Sequence, residues 1–143
     1  MNLESPAFAN GERIPARLSC DGEDISPALL IGETPPGTAT LALVMDDPDA
    51  PRGTWDHWVA FDLVPTVEIP EGVGPLGTSG RNSWKHLGYG GPCPPSGNHH
   101  YYFRVYAVDA RLGLPEGTDK ATLLQALEGH TLATATLLGR YSH

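Results

Sequence analysis

The sequence predicts a single domain of mostly β structure with one short helix at its periphery. A length of 143 residues fits one domain built around one core. Short apolar or alternating runs of strand length recur along the chain. The 17 glycines and 14 prolines are spread evenly, so they cut the chain into short pieces without marking a linker. We therefore expect antiparallel sheets joined by Greek-key-like connections.

The first half of the chain holds two strong strands. Residues 14–20 and 29–31 are weak strand candidates on either side of a polar turn. A Pro-Pro-Gly turn at residues 35–37 leads into an apolar strand over residues 40–45. A second strong strand covers residues 57–64, where aromatic, aliphatic and polar residues alternate.

The second half holds a long loop, another strand, the helix and a last strand. Residues 65–97 are dominated by Gly, Pro, Ser and Thr, and loops of this length are usually functional. Residues 101–108 are rich in aromatic and β-branched side chains, which is typical of a strand. Asp119 is a good N-cap for one short helix, which Gly129 is placed to end. Residues 131–141 alternate weakly and supply the last strand.

The charge balance argues against several classes of partner. The formal net charge is −8, and the isoelectric point is about 5.0. A nucleic-acid-binding protein needs a basic face, and an acidic surface also disfavours anionic membranes. Residues 1–13 contain neither a basic segment nor an apolar core, and no later run approaches a membrane span. We expect a soluble, cytoplasmic protein with no stable membrane insertion, in which local binding of a small anion is still compatible with the net charge.

The two cysteines carry no motif. Cys20 and Cys93 are far apart and form no CxxC pair, so the sequence signals neither a zinc ribbon nor a redox motif. In a cytosolic protein we expect two free thiols, although a single disulfide between them stays open.

The first stretch with chemical content is DDPDAPRGTWDHWVAFD, residues 46–62. Its prolines stiffen the chain between two buried strands, so polar groups there are held well. Strict alternation puts Asp47 on one face with Met45, and His57 on a face with Val59. We expect Asp47 to lie beside His57, to hold its tautomer and to raise its pKa. The alternative is an ordinary polar turn.

The second stretch is GYGGPCPPSGNHHYYFRVYAVD, residues 88–109. His99 enters a strand from a Pro/Gly-rich loop, as His57 does, and it shares a face with Tyr101. The two loops could therefore converge at one end of a sheet. Two imidazoles and the backbone amides near residues 90–97 are suitable donors for phosphate oxygens. We expect such binding to strengthen toward mildly acidic pH.

Taken together, these stretches resemble the phosphatidylethanolamine-binding protein (PEBP) family, whose mammalian members are also called Raf kinase inhibitor proteins. The similarity is greatest to the compact bacterial and archaeal branch and covers nearly the whole chain. The segments that match the family are DPDAP at 47–51 with HW at 57–58, GPCPPSG at 91–97 with His99 and Tyr101, CDGED at 20–24, Tyr106-Ala107, and the ending from Gly129-His130 to Tyr141.

The resemblance implies a β-sandwich of two antiparallel sheets with a small anion pocket at one end. The pocket positions of the family fall on Asp47, Asp49, His57, Pro94, His99 and Tyr101, and its rim on Trp55, Gly91 and Pro92. In that family the pocket takes phosphate, phosphorylethanolamine-type head groups, acetate or cacodylate, without generally attributed turnover and without a cofactor. Family members inhibit kinases or serine proteases, and the bacterial branch tends to form homodimers.

Two departures from the family pattern are visible. The residue after the motif histidine is usually arginine in the family and is His100 here, which removes a fixed charge and a bidentate donor. By alternation His100 faces away from His99, so the pocket should survive. No segment after the last strand corresponds to the helix that partly covers the mammalian pocket, so we expect an open pocket.

Alternative functions compete with anion binding. Asp47, Asp49, His57 and His99 could hold Zn²⁺ or Mn²⁺ for phosphoester hydrolysis, although no compact ligand motif supports this. A pure protein-interaction module with a vestigial pocket is also open, and Cys93 is conceivable as a thiol nucleophile. We expect Trp84 and Tyr89 to seal the long loop over the core and not to contact a ligand.

Overall fold

Two antiparallel sheets and one α-helix make up the fold in the computed structural model, which describes all residues from Met1 to His143. The bounds of the elements, in chain order, are a 3-10 helix Ala16–Leu18, β1 Leu29–Leu30, β2 Thr40–Asp47, β3 Trp55–Leu63, β4 Glu68–Ile69, β5 Thr78–Ser79, β6 Asn98–Val108, α1 Lys120–Leu127 and β7 Thr131–Ser142. This architecture confirms the predicted fold class.

The larger sheet has five strands in the order β5-β3-β2-β6-β7, and β1 pairs with β4 in a small second sheet. After the hairpin of β2 and β3, the chain crosses through the long loop and returns as β6 on the other side of β2. The crossing brings the loops before β3 and β6 to the same end of the sheet. This is the end at which the sequence motifs lie.

Apolar side chains cover both faces of the five-stranded sheet. One face packs against the small sheet and the N-terminal segment, in a core that includes Leu43, Met45 and Trp58. The other face packs beneath α1, where Val44 and Val59 meet helix residues. Every residue of β2 is buried. A strand buried on both faces needs apolar residues at consecutive positions, which explains the continuous apolar run in the sequence.

A β-bulge at the start of β3 changes the direction of His57. Met45 pairs with Trp58 while Asp46 pairs with Asp56, so His57 is an extra residue opposite no partner. Bulges of this kind re-aim side chains. The strict alternation that placed His57 with Val59 is therefore wrong. Its ring instead packs edge-on against Tyr101 of β6, with centroids 5.2 Å apart.

Local signals predicted most of the other elements, but the short strands β4 and β5 lie within residues 65–97, which were predicted as loop. Residues 14–20 form no strand; the 3-10 helix lies there, and Ile14 and Leu18 are fully buried. The helix α1 begins as predicted, because an Asp119 carboxylate oxygen accepts a hydrogen bond from the Thr122 amide at 2.9 Å. Gly129 follows the helix with φ 78°, the left-handed conformation expected at this position.

Candidate functional site

A small cavity lies where β2, β3 and β6 meet the long loop. Its volume is about 230 Å³, below the range of about 300–1,000 Å³ that drug-sized ligands occupy. Eleven residues line it: Asp47, Ala50, Pro51, Trp55, His57, Trp84, Cys93, Pro94, Pro95, His99 and Tyr101. A cavity of this size suits an inorganic anion or a small head group.

Asp47 and His99 form a buried pair in the wall of the cavity. Nδ1 of His99 donates to Oδ2 of Asp47 over 2.6 Å, with only 9% and 5% of the two side chains exposed. The other oxygen of Asp47 accepts the backbone amide of Asp49 at 2.8 Å. Both carboxylate oxygens are therefore satisfied within the protein, and the carboxylate orients the imidazole of His99.

The backbone, and not Asp47, orients His57. Nδ1 of His57 donates to the carbonyl oxygen of Gly90 at 2.7 Å, and the Gly90 amide donates back to the His57 carbonyl at 2.9 Å. Burial lowers the pKa of His57, against the opposing effects of the Gly90 carbonyl and the Asp47 charge. The expected Asp47–His57 pair with a raised His57 pKa is thus wrong, because the bulge and the return of β6 give Asp47 a nearer partner.

Tyr101 lines the cavity and has a buried hydroxyl that makes no hydrogen bond. The side chain is fully buried, and its oxygen has no hydrogen-bond partner in the structure. Burial and the negative charge of Asp47 raise the pKa of Tyr101, so the hydroxyl keeps its proton and acts as a donor. A buried hydroxyl without a hydrogen bond costs stability, and a hydrogen bond to a bound ligand would remove that cost.

The hydrogen bonds at Nδ1 determine the tautomers of both histidines. A carbonyl or a carboxylate only accepts, so each Nδ1 carries the proton, and Nε2 is the nitrogen left for a ligand. In a neutral imidazole this Nε2 is an acceptor. Because burial lowers the pKa of His57, its Nε2 is an acceptor near neutral pH, and the Tyr101 hydroxyl is a donor.

Two tryptophans form the rim of the cavity. Trp55 and Trp84 are 37% and 38% exposed, and their rings meet edge-on at 5.6 Å. Trp84 also packs on the ring of His57 at 4.9 Å. The expectation that Trp84 only seals the loop is wrong. Tyr89 does seal it, since its hydroxyl donates to the Leu18 carbonyl at 2.7 Å.

Three residues predicted for the site lie outside the cavity lining. Asp49 faces solvent and accepts from the backbone amide and Nδ1 of His100, which lower its pKa. Gly91 and Pro92 are buried and do not line the cavity. A Cβ at Gly91 would stand 2.2 Å from the Leu18 carbonyl oxygen, so close packing requires glycine there. The departure at His100 therefore leaves the cavity untouched, as alternation predicted.

The cysteines form a disulfide, so the expectation of two free thiols is wrong. Cys20 and Cys93 are bonded across a sequence separation of 73 residues, with Cα atoms 5.4 Å apart. The backbone supports the same junction, because the Cys20 amide donates to the Pro92 carbonyl at 3.1 Å. No local spacing signals such a bond, since tertiary folding alone brings the two loops together.

The carboxylate and imidazole set proposed for a metal does not converge. No three of Asp47, Asp49, His57 and His99 bring ligand atoms within 4.8 Å of one another; the group that does consists of Cys20, Cys93 and His143. Two members of that group are joined in the disulfide. The geometry thus gives the metal-hydrolase alternative no ligand cluster at the cavity.

Comparisons with known proteins agree with this fold. The model of the phosphatidylethanolamine-binding protein family matches residues 4–142. The UPF0098 protein of Methanothermobacter thermautotrophicus is 47% identical over 99% of this chain and 98% of its own length. The UPF0098 protein of Chlamydia muridarum is 44% identical over 99% of this chain and 98% of its own length.

Solved structures show the same relationship. CT736 of Chlamydia trachomatis, a PEBP homologue, superposes with a TM-score of 0.95 at 40% identity, over 99% of this chain and 97% of that one. YbcL of Escherichia coli, a member of the mammalian PEBP family, superposes with a TM-score of 0.91 at 29% identity, over 99% of this chain and 98% of that one. The chain belongs to the phosphatidylethanolamine-binding protein family, as the sequence motifs predicted.

No helix in the structure has the length and apolar character of a membrane span.

Proposed function

We propose that this protein is a non-enzymatic binder of small phosphate-like anions, which it takes up together with a proton. The observation that carries the proposal is the set of unpartnered polar atoms at the cavity: Nε2 of His57, Nε2 of His99 and the hydroxyl of Tyr101. These three atoms match a tetrahedral oxyanion that bears at least one hydrogen. The P–OH group donates to an imidazole, and an unprotonated oxygen accepts from Tyr101.

The charge of the cavity explains why a proton is needed. Asp47 contributes a negative charge, no lysine or arginine lines the cavity, and burial keeps His57 neutral near pH 7. A phosphate dianion would meet like charge in a poorly solvated site. A monoanion meets less repulsion, as does a dianion that binds with protonation of an imidazole. Because the second pKa of a phosphate ester is about 6, affinity should rise as pH falls from 8 to 6.

The residues around the cavity favour binding over turnover. No serine, threonine or lysine lines it, and its one sulfur, that of Cys93, is bonded to Cys20. A thiol nucleophile is thus not available in the oxidised protein. The two histidines orient a ligand without a nucleophile for them to activate.

A regulatory use follows as the second part of the proposal. A ligand bound between Trp55 and Trp84 would change the surface around the rim, where a kinase or a protease could dock. We also propose that the protein works as a homodimer. The disulfide weakens the expected cytoplasmic location, since such bonds persist mainly in oxidising compartments.

The first test is a ¹H–¹⁵N NMR titration with inorganic phosphate and O-phosphorylethanolamine at pH 6. Wild type should show saturable shifts clustered at residues 47–57 and 91–101. His57→Ala should lose them, because it removes one of the three binding atoms. His130→Ala is the matched control: this histidine pairs with Asp109 on the surface, far along β6 from the cavity. Absence of localised wild-type shifts up to tens of millimolar would overturn the proposal, as would an affinity that stays flat from pH 8 to 5.5.

The partner is tested separately. If inhibition of a kinase or protease depends on the ligand, His57→Ala loses it along with phosphate binding. If the variant inhibits as well as wild type, the cavity is not part of the inhibitory surface and the interaction-module alternative is favoured.

A further inference from the structure

The disulfide is part of the wall of the anion cavity. Cys93 lines the cavity together with Pro94 and Pro95. Cys20 lies on the opposite side of the bond, in the turn after the 3-10 helix. The bond therefore joins a loop that touches the ligand site to one that does not.

Little else holds this section of the wall. Residues 93–97 make no backbone or side-chain hydrogen bond, and Pro94 and Pro95 have no backbone N–H to donate. The last polar ties before this segment are the Pro92 carbonyl, which accepts from Cys20, and the Gly91 amide, which donates to the Asp24 carboxylate at 2.7 Å. The next begin with strand β6 at Asn98. The disulfide is the one covalent tie within a span that otherwise rests on packing.

The bond is also accessible to a thiol reagent. Both cysteines are exposed, and an imidazole nitrogen of His143 lies within 4.8 Å of both sulfur atoms. Asp21 holds that ring through a 2.8 Å contact to Nε2, and the Tyr141 hydroxyl donates to the same carboxylate. A protonated imidazole beside a sulfur favours the thiolate form of that sulfur and can donate the proton that the leaving sulfur takes up.

We propose that the Cys20–Cys93 disulfide is a reducible switch that regulates anion binding. A small thiol of the glutathione class attacks one sulfur, and the other leaves as a thiolate that takes up a proton. A second thiol then resolves the mixed disulfide, so that two reductant thiols become one oxidised disulfide and the protein gains two thiols. Reduction releases residues 93–97 from this cross-link. Binding of the anion must then order the loop, and the conformational entropy lost in doing so weakens the affinity. The proposal rests on the anion-binding function of the cavity.

The test compares oxidised and reduced full-length protein by calorimetric titration with inorganic phosphate at pH 6. The oxidised arm alone reports whether the cavity binds phosphate. Reduced protein should bind about threefold to tenfold more weakly, and reoxidation should restore the affinity, because only the ordering cost of the loop changes. Cys20→Ser should behave as reduced protein does, since it leaves Cys93 in the wall but removes the bond.

Ligand-free hydrogen exchange gives a second readout that does not depend on binding. Amides of residues 93 and 96–98 should exchange faster after reduction, whereas those in β2 should not. Equal phosphate affinity of the two redox forms overturns the switch but leaves anion binding intact, whereas no binding by the oxidised form overturns both. Global unfolding on reduction also overturns the switch, because the bond would then be purely structural.

His143→Ala tests the accessibility argument. It keeps both cysteines and the whole cavity lining, so the oxidised variant should bind phosphate as wild type does. Its reduction by glutathione should be several-fold slower, since the neighbouring imidazole is gone. An unchanged rate would overturn the assignment of His143 to the switch.

Discussion

Asp46 and Asp47 are consecutive buried acids of β2 that face opposite sides of the sheet and have different kinds of partner. On the helix side, Asp46 lies 3.0 Å from Lys120 Nζ and 3.3 Å from Arg104 Nη1. On the cavity side, Asp47 has His99, and no lysine or arginine lines the cavity. On the helix side, the cations Lys120 and Arg104 neutralise Asp46 within the protein itself. On the cavity side, the imidazole of His57 and the hydroxyl of Tyr101 lie near Asp47, so this side can respond to a ligand and to pH.

The helix side should carry the larger stability effect. Lys120 Nζ also lies 2.7 Å from Asp56 Oδ1. Burial acts to lower the pKa of Lys120, but its contacts with the two aspartates outweigh burial and raise it. Lys120→Met leaves these acids poorly compensated and should lower the free energy of unfolding by about 2–3 kcal/mol. Urea denaturation measures this. Phosphate affinity should stay as in wild type.

Lys85 supplies the matched control for that variant. It is the other lysine of the chain and is exposed, so Lys85→Met should change stability by less than about 0.5 kcal/mol. A Lys120→Met variant as stable as Lys85→Met would contradict the distinction between the two sides of β2.

On the cavity side, stability and binding should move in opposite directions. Tyr101→Phe removes a buried hydroxyl that has no partner, so the free protein should gain about 1 kcal/mol of stability. Phosphate should bind roughly tenfold more weakly, because a hydrogen bond to a charged ligand is lost. Thermal unfolding and calorimetric titration measure the two effects. Loss of stability with unchanged affinity would mean that the hydroxyl serves the fold and not a ligand.

The pH dependence of stability should also separate the two sides. Burial holds the pKa of His57 below 6.5 in the folded state. As pH falls, His57 therefore becomes protonated in the unfolded chain before it does so in the folded protein. The free energy of unfolding decreases accordingly between about pH 6.5 and the lower folded pKa. The slope for one group is at most about 1.4 kcal/mol per pH unit.

His57→Gln should remove this slope in phosphate-free buffer, as seen by chemical denaturation at several pH values between 7.5 and 5. Lys120→Met, on the other side of the sheet, should keep it. If wild type and His57→Gln lose stability in parallel over this range, the ring is not held neutral by burial.

The smallest effect should come from the exposed pair of Asp49 and His100. Both side chains are 41% exposed, so His100→Ala should change stability by less than about 0.5 kcal/mol. The affinity for phosphate should change less than twofold, because neither residue lines the cavity. Parallel urea and phosphate titrations check this, and a tenfold loss of affinity would show that the loop of Asp49 closes over the ligand.

Sequence reasoning found most of the site by different routes. Strand entry and motif resemblance identified His57, His99, Asp47 and Tyr101, which all line the cavity. They did not find Trp84, because a tryptophan in a long loop looks the same whether it covers a core or a rim. The resemblance also overextended the site to Asp49, Gly91 and Pro92.

Local patterns determined the four long strands, the capped helix and the two motif loops, because hydrophobic periodicity, turn residues and an N-cap act over a few neighbouring residues. Tertiary structure alone decided which acid meets which imidazole and that the cysteines bond. The first depends on a one-residue bulge that shifts His57 out of alternation. The second joins residues 73 positions apart, and pairings over such distances depend on how loops and strands cross, which no local pattern encodes.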